Sequence, residues 1–450
     1  MANATTLEGG GWLLCSGDGV PPLALHVARA WVSRLLATRP DALLAFLVLL
    51  AVLIAWRYLF TPIEWNRSLG EVGFGHLKEE RGGGRSAARE RVRLCRRARL
   101  LGSLPPAFPN GWFALVDSHE LLFGQVKHVS ALGENFAVFR EEEAAGGRVH
   151  VLGAYCPHLG ANMAAGGRVR GDCLECPFHG WRFRGADGKC AAVPYSAKVP
   201  DFARAQRWSS REVNRVVFVW YHAEGEEPSW EPEAIPEVDG GQWLRKGRST
   251  FHVNCHIQEI PENGADVAHL NVVHEPLLTS GGDLRRSGTS KGIAKHVWEA
   301  SWAASREEGL EHTATMSLRH ELRFLNKFLI MGNDVKAHQI GPGYVVLNIQ
   351  TFLGRVIILQ TVTPVEPMIQ KVVHRIYGSK YVIQPFANFM FLGETIMFER
   401  DVMVWNHKLY LDKPALVSED RAINHYRRWY SQFYSENSPR VSMKDRSLEW

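Results

Sequence analysis

Cys156-Pro157-His158 is followed, seventeen residues on, by Cys176-Pro177-Phe178-His179. Two thiolates and two imidazoles in that pattern are the ligand set of a [2Fe–2S] centre with both Cys on one iron and both His on the other. Replacing two thiolates by imidazoles lifts the potential into about −150 to +300 mV. A second stretch, Glu262-Asn263-Gly264-Ala265-Asp266-Val267-Ala268-His269-Leu270-Asn271-Val272-Val273-His274, offers two more imidazoles. Joined by one carboxylate, they make an open-sided 2-His-1-carboxylate triad, which leaves adjacent positions on an iron free for O2. An electron carrier and an O2-activating iron in one chain imply an oxidoreductase.

The rival for the four Cys and His residues is a structural zinc site. Cys-x-His is too short a knuckle for tetrahedral zinc, and the usual finger spacing is absent. Cys173 makes a Cys-x-x-Cys pair with Cys176, and reads as a small buried residue beside the cluster. His269 and His274, five residues apart, would diverge by about 140° on an ideal helix. Both reach one metal only if the helix ends between them, and Pro276 marks a plausible stop. The third ligand must come from elsewhere, and Glu394, Glu399 and Asp401 cluster in one segment.

The elements that must position these groups change character along the chain. From about residue 105, short alternating strands separated by Gly turns predict a small all-β domain over 105–224, with strands at 112–116, 136–139, 149–152 and 216–220. A Glu-, Pro- and Gly-rich connection leads to a larger α+β domain over 242–450. Strands recur there at 345–352, 356–362 and 372–377, followed by helical regions at about 387–407 and 419–434. Upstream lie a segment 1–41, an apolar run 42–60, and a basic linker 61–104 containing Gly82-Gly83-Gly84 and Arg89, Arg91, Arg93, Arg96, Arg97 and Arg99.

The net charge of +5 is concentrated in that linker. A membrane explains it better than nucleic acid, since residues 42–56 are unbroken apolar side chains, about 22 Å of helix. Tyr58, Leu59 and Phe60 extend the run if Arg57 snorkels, giving one transmembrane anchor. The excess of downstream Lys and Arg places the larger domains in the cytosol. Asn3 and Asn66 both lie in glycosylation sequons, of which only Asn3 would be lumenal. Residues 21–39 could form a weakly amphipathic surface helix. Seven cysteines, an odd count, agree with a reducing compartment, and Cys15, Cys95, Cys190 and Cys255 show no metal-ligand spacing.

Cys-Pro-Phe-His-Gly-Trp at 176–181 is closely similar to the second half of the Rieske motif, and Glu262-x3-Asp266-x2-His269-x4-His274 matches the pattern of Rieske non-haem iron oxygenases. With the N-terminal anchor, the chain from about residue 40 resembles the Neverland family of animal cholesterol 7-desaturases. The bacterial 3-ketosteroid 9α-hydroxylases are similar across the two metal domains.

The resemblance implies a helix-grip-like catalytic domain, a [2Fe–2S] cluster on Cys156, His158, Cys176 and His179, and Fe(II) on His269 and His274. It favours Asp401 as third ligand, because Asp-x3-Trp with Lys408 and Tyr410 resembles the family segment that supplies an Asp. It also implies that Asp266 bridges an iron-site His to a cluster His of the neighbouring subunit in a homotrimer. The implied activity converts cholesterol to 7-dehydrocholesterol with O2 and NAD(P)H, in a membrane such as the endoplasmic reticulum. No nicotinamide or flavin fingerprint is evident, so a separate reductase must supply electrons. A Rieske-type hydroxylase of a steroid or other hydrophobic substrate is the alternative, and a non-catalytic electron-transfer or metal-binding membrane protein a distant third.

Overall fold

The structure is a computed structural model that describes residues 40–72, 74, 90, 92, 93, 99–287, 294–325 and 327–441. Asn3, segment 21–39, Cys15, Cys95 and Gly82-Gly83-Gly84 lie outside these residues. The chain divides into two units at Phe60.

The first unit contains α1 (Pro40–Phe60), whose only charges are Asp41 and Arg57. From Leu44 to Phe60 its described side chains are exposed on every face. Among the described residues no helix is long and apolar enough to cross a membrane. The backbone helix of α1 continues N-terminally through Ala42 and Leu43 to Pro40.

In the second unit, β1 (Ile63–Arg67) precedes a small β domain built from β2 (Gly111–Asp117), β3 (Val126–Ala131), β4 (Glu134–Arg140), β5 (Val149–Gly153), β6 (Arg168–Arg170), β7 (Cys173–Glu175), β8 (Arg182–Arg184), β9 (Cys190–Ala192), β10 (Arg207–Trp208), β11 (Ser210–Val213) and β12 (Val216–Tyr221). These form three sheets in the orders β10-β5-β4-β3, β11-β12-β2 and β6-β7-β8-β9. β2 and β12 are buried along their whole length, so they read as continuous apolar runs rather than alternating ones.

The larger domain is one sheet in the order β1-β13-β19-β18-β17-β16-β15-β14. Its strands are β13 (Leu244–Val253), β14 (Ala294–Ala304), β15 (Thr313–Phe324), β16 (Phe328–Ile340), β17 (Tyr344–Thr351), β18 (Gly354–Glu366) and β19 (Ile369–Gly378). Between β13 and β14 lies α2 (Val267–Val273); after β19 come α3 (Gln384–Trp405) and α4 (Arg421–Tyr430). β1, inside the segment read from sequence as linker, pairs in parallel with β13, Ile63 opposite Gly247. A five-residue strand with alternating half-burial gives little sequence signal, and a partner 184 positions downstream gives none.

α3 buries Ala387, Phe391, Phe398, Val402 and Trp405, a helical stripe that packs on the sheet. Gly247 permits the approach, since a Cβ there would lie 3.2 Å from the Phe391 ring.

The two β systems are joined by a buried charge cluster. Asp117, at the end of β2, accepts from Arg375 Nε of β19 at 2.5 Å and from Arg248 Nε of β13 at 2.8 Å. Thr363 Oγ1 also donates to the Ala114 carbonyl at 2.8 Å. Burial opposes ionisation of Asp117, but the two guanidiniums outweigh it and hold the carboxyl below its ordinary range.

Asp117→Asn strands two buried guanidiniums, and urea unfolding is expected to show a loss of about 3–5 kcal/mol at neutral pH. Because the native pKa is depressed, the contribution of Asp117 is full above the unfolded value, about 3.9, and is lost as pH falls through the native one. The stability gap between parent and Asn variant should therefore be flat above about pH 5 and close in acid.

Candidate metal centres

The two Cys–His loops repeat one backbone pattern. The N–H of Gly160 donates to the Cys156 carbonyl at 2.9 Å, and that of Gly180 to the Cys176 carbonyl at 3.1 Å. In turn, Cys156 N–H donates to the Ala161 carbonyl at 2.9 Å and Cys176 N–H to the Trp181 carbonyl at 2.8 Å. Both turns close through a glycine in the left-handed region, Gly160 at φ +73° and Gly180 at φ +70°, which L side chains rarely adopt. The loops thus present equivalent knuckles, each with a buried thiol at its base.

His158 and His179 lie at the half-exposed tips, ring centroids 4.8 Å apart, and His158 stacks on Trp181 at 4.6 Å. Burial, with the Cys176 thiol beside it, pushes the Cys156 thiol up to about 11, against the backbone N–H groups of His158 and Leu159 directed at its sulfur. A paired thiol site with N–H groups aimed at sulfur fits a cluster, whose binding displaces the protons. Cys173 is buried in β7, donating to Asp172 Oδ1 at 3.3 Å.

The second centre is assembled by a helix that stops where the ligand spacing needs it to. α2 starts at its N-cap Asp266, whose Oδ1 accepts the N–H of His269 at 3.3 Å. It ends at Val273, leaving His274 as C-cap with φ −105° and ψ 4°. That change of direction brings the His269 and His274 rings to 5.2 Å, where a continued helix would have parted them. Asp401 of α3 completes the group. One ligand atom each from His269, His274 and Asp401 falls within 4.8 Å of the others, with His274 Nε2 3.3 Å from Asp401 Oδ1.

His269 Nδ1 faces the Asp266 carbonyl, which can only accept, so Nδ1 carries the proton and Nε2 keeps its lone pair. His274 and Asp401 are buried, and His274 Nδ1 has no partner. Two imidazoles and a carboxylate converging in a buried wall fit an iron in a facial triad. Glu399 is turned away, accepting from Arg67 Nε at 2.9 Å and Trp65 Nε1 at 3.4 Å on β1. Glu394 lies 3.0 Å from His374 Nδ1 instead. Asp266 caps α2 and keeps a third of its side chain exposed.

Sequence reasoning passed over the residue that holds this arrangement. Arg400, fully buried beside Asp401, donates to the carbonyls of Val273 (3.2 Å), Pro276 (2.9 Å), Leu277 (2.9 Å) and Gly281 (3.0 Å). Its adjacency to Asp401 was the one available signal. Glu262, the first residue of the motif, receives Arg427 of α4 at 2.7 and 3.1 Å, so its place in the pattern is structural.

The triad sits in the wall of a cavity of about 490 Å³, between α2, α3 and the sheet. Alternate strand residues such as Leu318, Val335, Leu347 and Ile358 line it, following the period-two pleat. Among its few polar groups, His296 and His320 are bonded at 2.7 Å, and burial holds them down to about 3 and about 4, hence neutral.

Comparison with known proteins agrees with both centres. Residues 111–203 match the Rieske [2Fe-2S] domain, and residues 219–434 match the 3-ketosteroid 9α-hydroxylase C-terminal domain. The chain is 47% identical to a cholesterol 7-desaturase of Xenopus laevis, over 90% of this chain and 88% of the relative. It is 44% identical to a cholesterol 7-desaturase of Ciona intestinalis, over 88% and 83%. Dicamba monooxygenase bound to 3,6-dichlorosalicylic acid shares the fold, with a TM-score of 0.51 at 15% identity, over 72% of this chain and 97% of that one.

Arg400→Met should release the segment after His274. It is expected to cost about 3 kcal/mol or more in unfolding free energy and to lower iron stoichiometry, while the electron paramagnetic resonance signal of the reduced [2Fe–2S] cluster persists. Retention of full iron would show that the loop holds without the guanidinium.

Proposed function

The chain belongs to the cholesterol 7-desaturase family of Rieske oxygenases, and on that premise we propose that it removes two hydrogens across the C7–C8 bond of cholesterol, giving 7-dehydrocholesterol. Two electrons from the sterol and two from NAD(P)H, delivered by a separate reductase, together reduce O2 to water. The observation that supports the reading is the convergence of His269, His274 and Asp401 on one wall of an apolar cavity. Its volume lies within the range of small-molecule sites.

In this reading Cys156 and Cys176 hold one cluster iron, His158 and His179 the other, and His269, His274 and Asp401 the mononuclear iron. When bound, the two centres supply one-electron transfer and O2 reduction. The chain's own residues orient the reactants: the Asp266 carbonyl fixes the His269 tautomer, Arg400 seats the loop behind His274, and the strand side chains exclude water.

The cluster tip is flanked by exposed Leu159, Phe178 and Tyr195, a surface suited to docking. A homotrimer would seat this tip against the exposed side of Asp266 in a neighbouring subunit. The alternative, hydroxylation of a steroid, is favoured by the match to the 3-ketosteroid 9α-hydroxylase C-terminal domain. It shares the first hydrogen abstraction and differs in the product.

Membrane anchoring through α1 belongs to the same reading. The backbone helix of 21 residues is about 31 Å long, close to a hydrocarbon core of about 30 Å. Its apolar side chains are exposed on every described face, and Trp56 stacks on Phe60 near one end. The substrate itself partitions into bilayers, so an anchored enzyme meets it there. The catalytic unit would face the cytosol, with the endoplasmic reticulum as the expected membrane.

Membranes carrying the chain, supplied with cholesterol, NAD(P)H, reductase and O2, are expected to yield a product two mass units lighter with conjugated-diene absorption, absent in Asp401→Ala. A product heavier by one oxygen would replace the desaturase reading with the hydroxylase. In carbonate extraction the full chain should stay with the membrane pellet and a chain lacking residues 1–60 should enter the supernatant; equal partitioning of the two would exclude α1 as anchor.

A further inference from the structure

We propose that Glu394 is the anchor for the sterol 3-hydroxyl, its carboxyl held by His374 in the cavity wall so that it accepts a hydrogen bond from the hydroxyl. The inference rests on the sterol reading above and names the residue that sets the register of the substrate.

Asp401 lies seven positions after Glu394 on α3, two turns that bring both side chains to one face about 10 Å apart along the axis. Both line the cavity. The 3-hydroxyl and carbon 7 of cholesterol sit on adjacent rings of one rigid skeleton. A sterol lying along α3 with its hydroxylated ring at Glu394 therefore brings the next ring to the triad.

The surroundings of Glu394 prepare it to accept. His374 is fully buried; its Nε2 is 3.1 Å from Gln360 Oε1, an acceptor, so Nε2 carries the ring proton and Nδ1 is bare. Ser249 Oγ and Glu394 Oε1 each stand 3.0 Å from Nδ1, whose single lone pair takes one donor. An anionic oxygen so close to an unprotonated nitrogen would be repelled, whereas a carboxylic O–H there donates to it. Oε2 then remains a carbonyl-type oxygen able to accept.

Burial raises the Glu394 carboxyl to about 8, the Thr395 hydroxyl opposing and the Asp401 charge adding, in agreement with a neutral acid. Glu394 lines the cavity, and 23% of its side chain is accessible. A neutral acid in an apolar wall suits a neutral hydroxyl. His374 and Ser249 are positioning residues in this scheme.

The experiment compares cholesterol with its 3-deoxy analogue, cholest-5-ene, on the membrane-bound holoenzyme and on Glu394→Leu and Glu394→Gln. The parent should favour cholesterol in kcat/KM by about tenfold or more. Glu394→Leu should reduce that preference to within about twofold, chiefly through the KM for cholesterol. Glu394→Gln should keep it, because an amide N–H can donate to His374 Nδ1 while the amide oxygen faces the cavity.

Equal losses on both substrates in the Leu variant would make Glu394 merely structural and overturn the proposal. So would a preference that survives the Leu substitution, or one that moves with His320→Phe instead. Equilibrium binding of the two radiolabelled sterols to the same proteins tests the anchor independently of turnover. A hydroxyl preference lost in Leu and kept in Gln supports it even where the parent forms no 7,8-diene, an outcome that would defeat the desaturase reading alone.

Discussion

A single buried guanidinium governs the geometry of the mononuclear site. Arg400 gathers carbonyls from Val273, Pro276, Leu277 and Gly281, the stretch where α2 has just ended and the chain turns away. The last carbonyls of any helix lack intrahelical partners, and a buried helix end without substitutes for them is costly. Here the substitute is delivered from α3, one residue before Asp401. The constraint that satisfies the end of α2 therefore also fixes the distance between His274 and the carboxylate. Sub-ångström placement of a triad requires that its supports be rigid, and a planar cation bound to four carbonyls is more rigid than packing alone.

The same economy recurs between the domains. Asp117 leaves the end of a strand in the cluster domain and is met by Arg248 and Arg375 from two adjacent strands of the catalytic sheet. A buried ion cluster contributes little net stability compared with apolar packing, but it tolerates few alternative geometries. Its effect here is to fix how β2 sits on the sheet. The cluster loops are in turn fixed by their own backbone pattern and not by the catalytic domain, since each knuckle closes on its own glycine. The two centres are thus rigid for separate reasons.

Much of this was legible in the sequence because it is local. The four Cys and His residues read as cluster ligands sit within a few residues of the turns that present them, and the meeting of His269 and His274 required only that a helix stop, as Pro276 suggested. The fully buried strands β2 and β12 were legible as apolar runs. What was not legible is what crosses long sequence separations: β1 on β13, Arg400 on the loop after His274, Glu262 on Arg427, and His374 beside Glu394. The cluster Glu394, Glu399 and Asp401 shows the limit well. Spacing alone left three candidates, and the helix sends them to different neighbours: rotation turns Glu399 to Arg67, while Asp401 and Glu394 share a face two turns apart and meet His274 and His374.

The polar atoms left unpaired at the cavity carry a thermodynamic consequence. His296 Nε2 and Asn333 Oδ1 are buried, lack hydrogen-bond partners and belong to residues that line the cavity. Each such atom costs about 1–3 kcal/mol relative to a satisfied one. Natural cores rarely accept that cost, and at a cavity wall a guest can relieve it. A largely apolar guest with a single hydroxyl can satisfy only part of this set, and the neutral state of His296 and His320 keeps the remainder from demanding a counter-charge. Discrimination then follows from the asymmetry of buried hydrogen bonding: a guest lacking the hydroxyl gains the same apolar burial but leaves an acceptor stranded, so the penalty for the wrong guest exceeds the net gain from the right one.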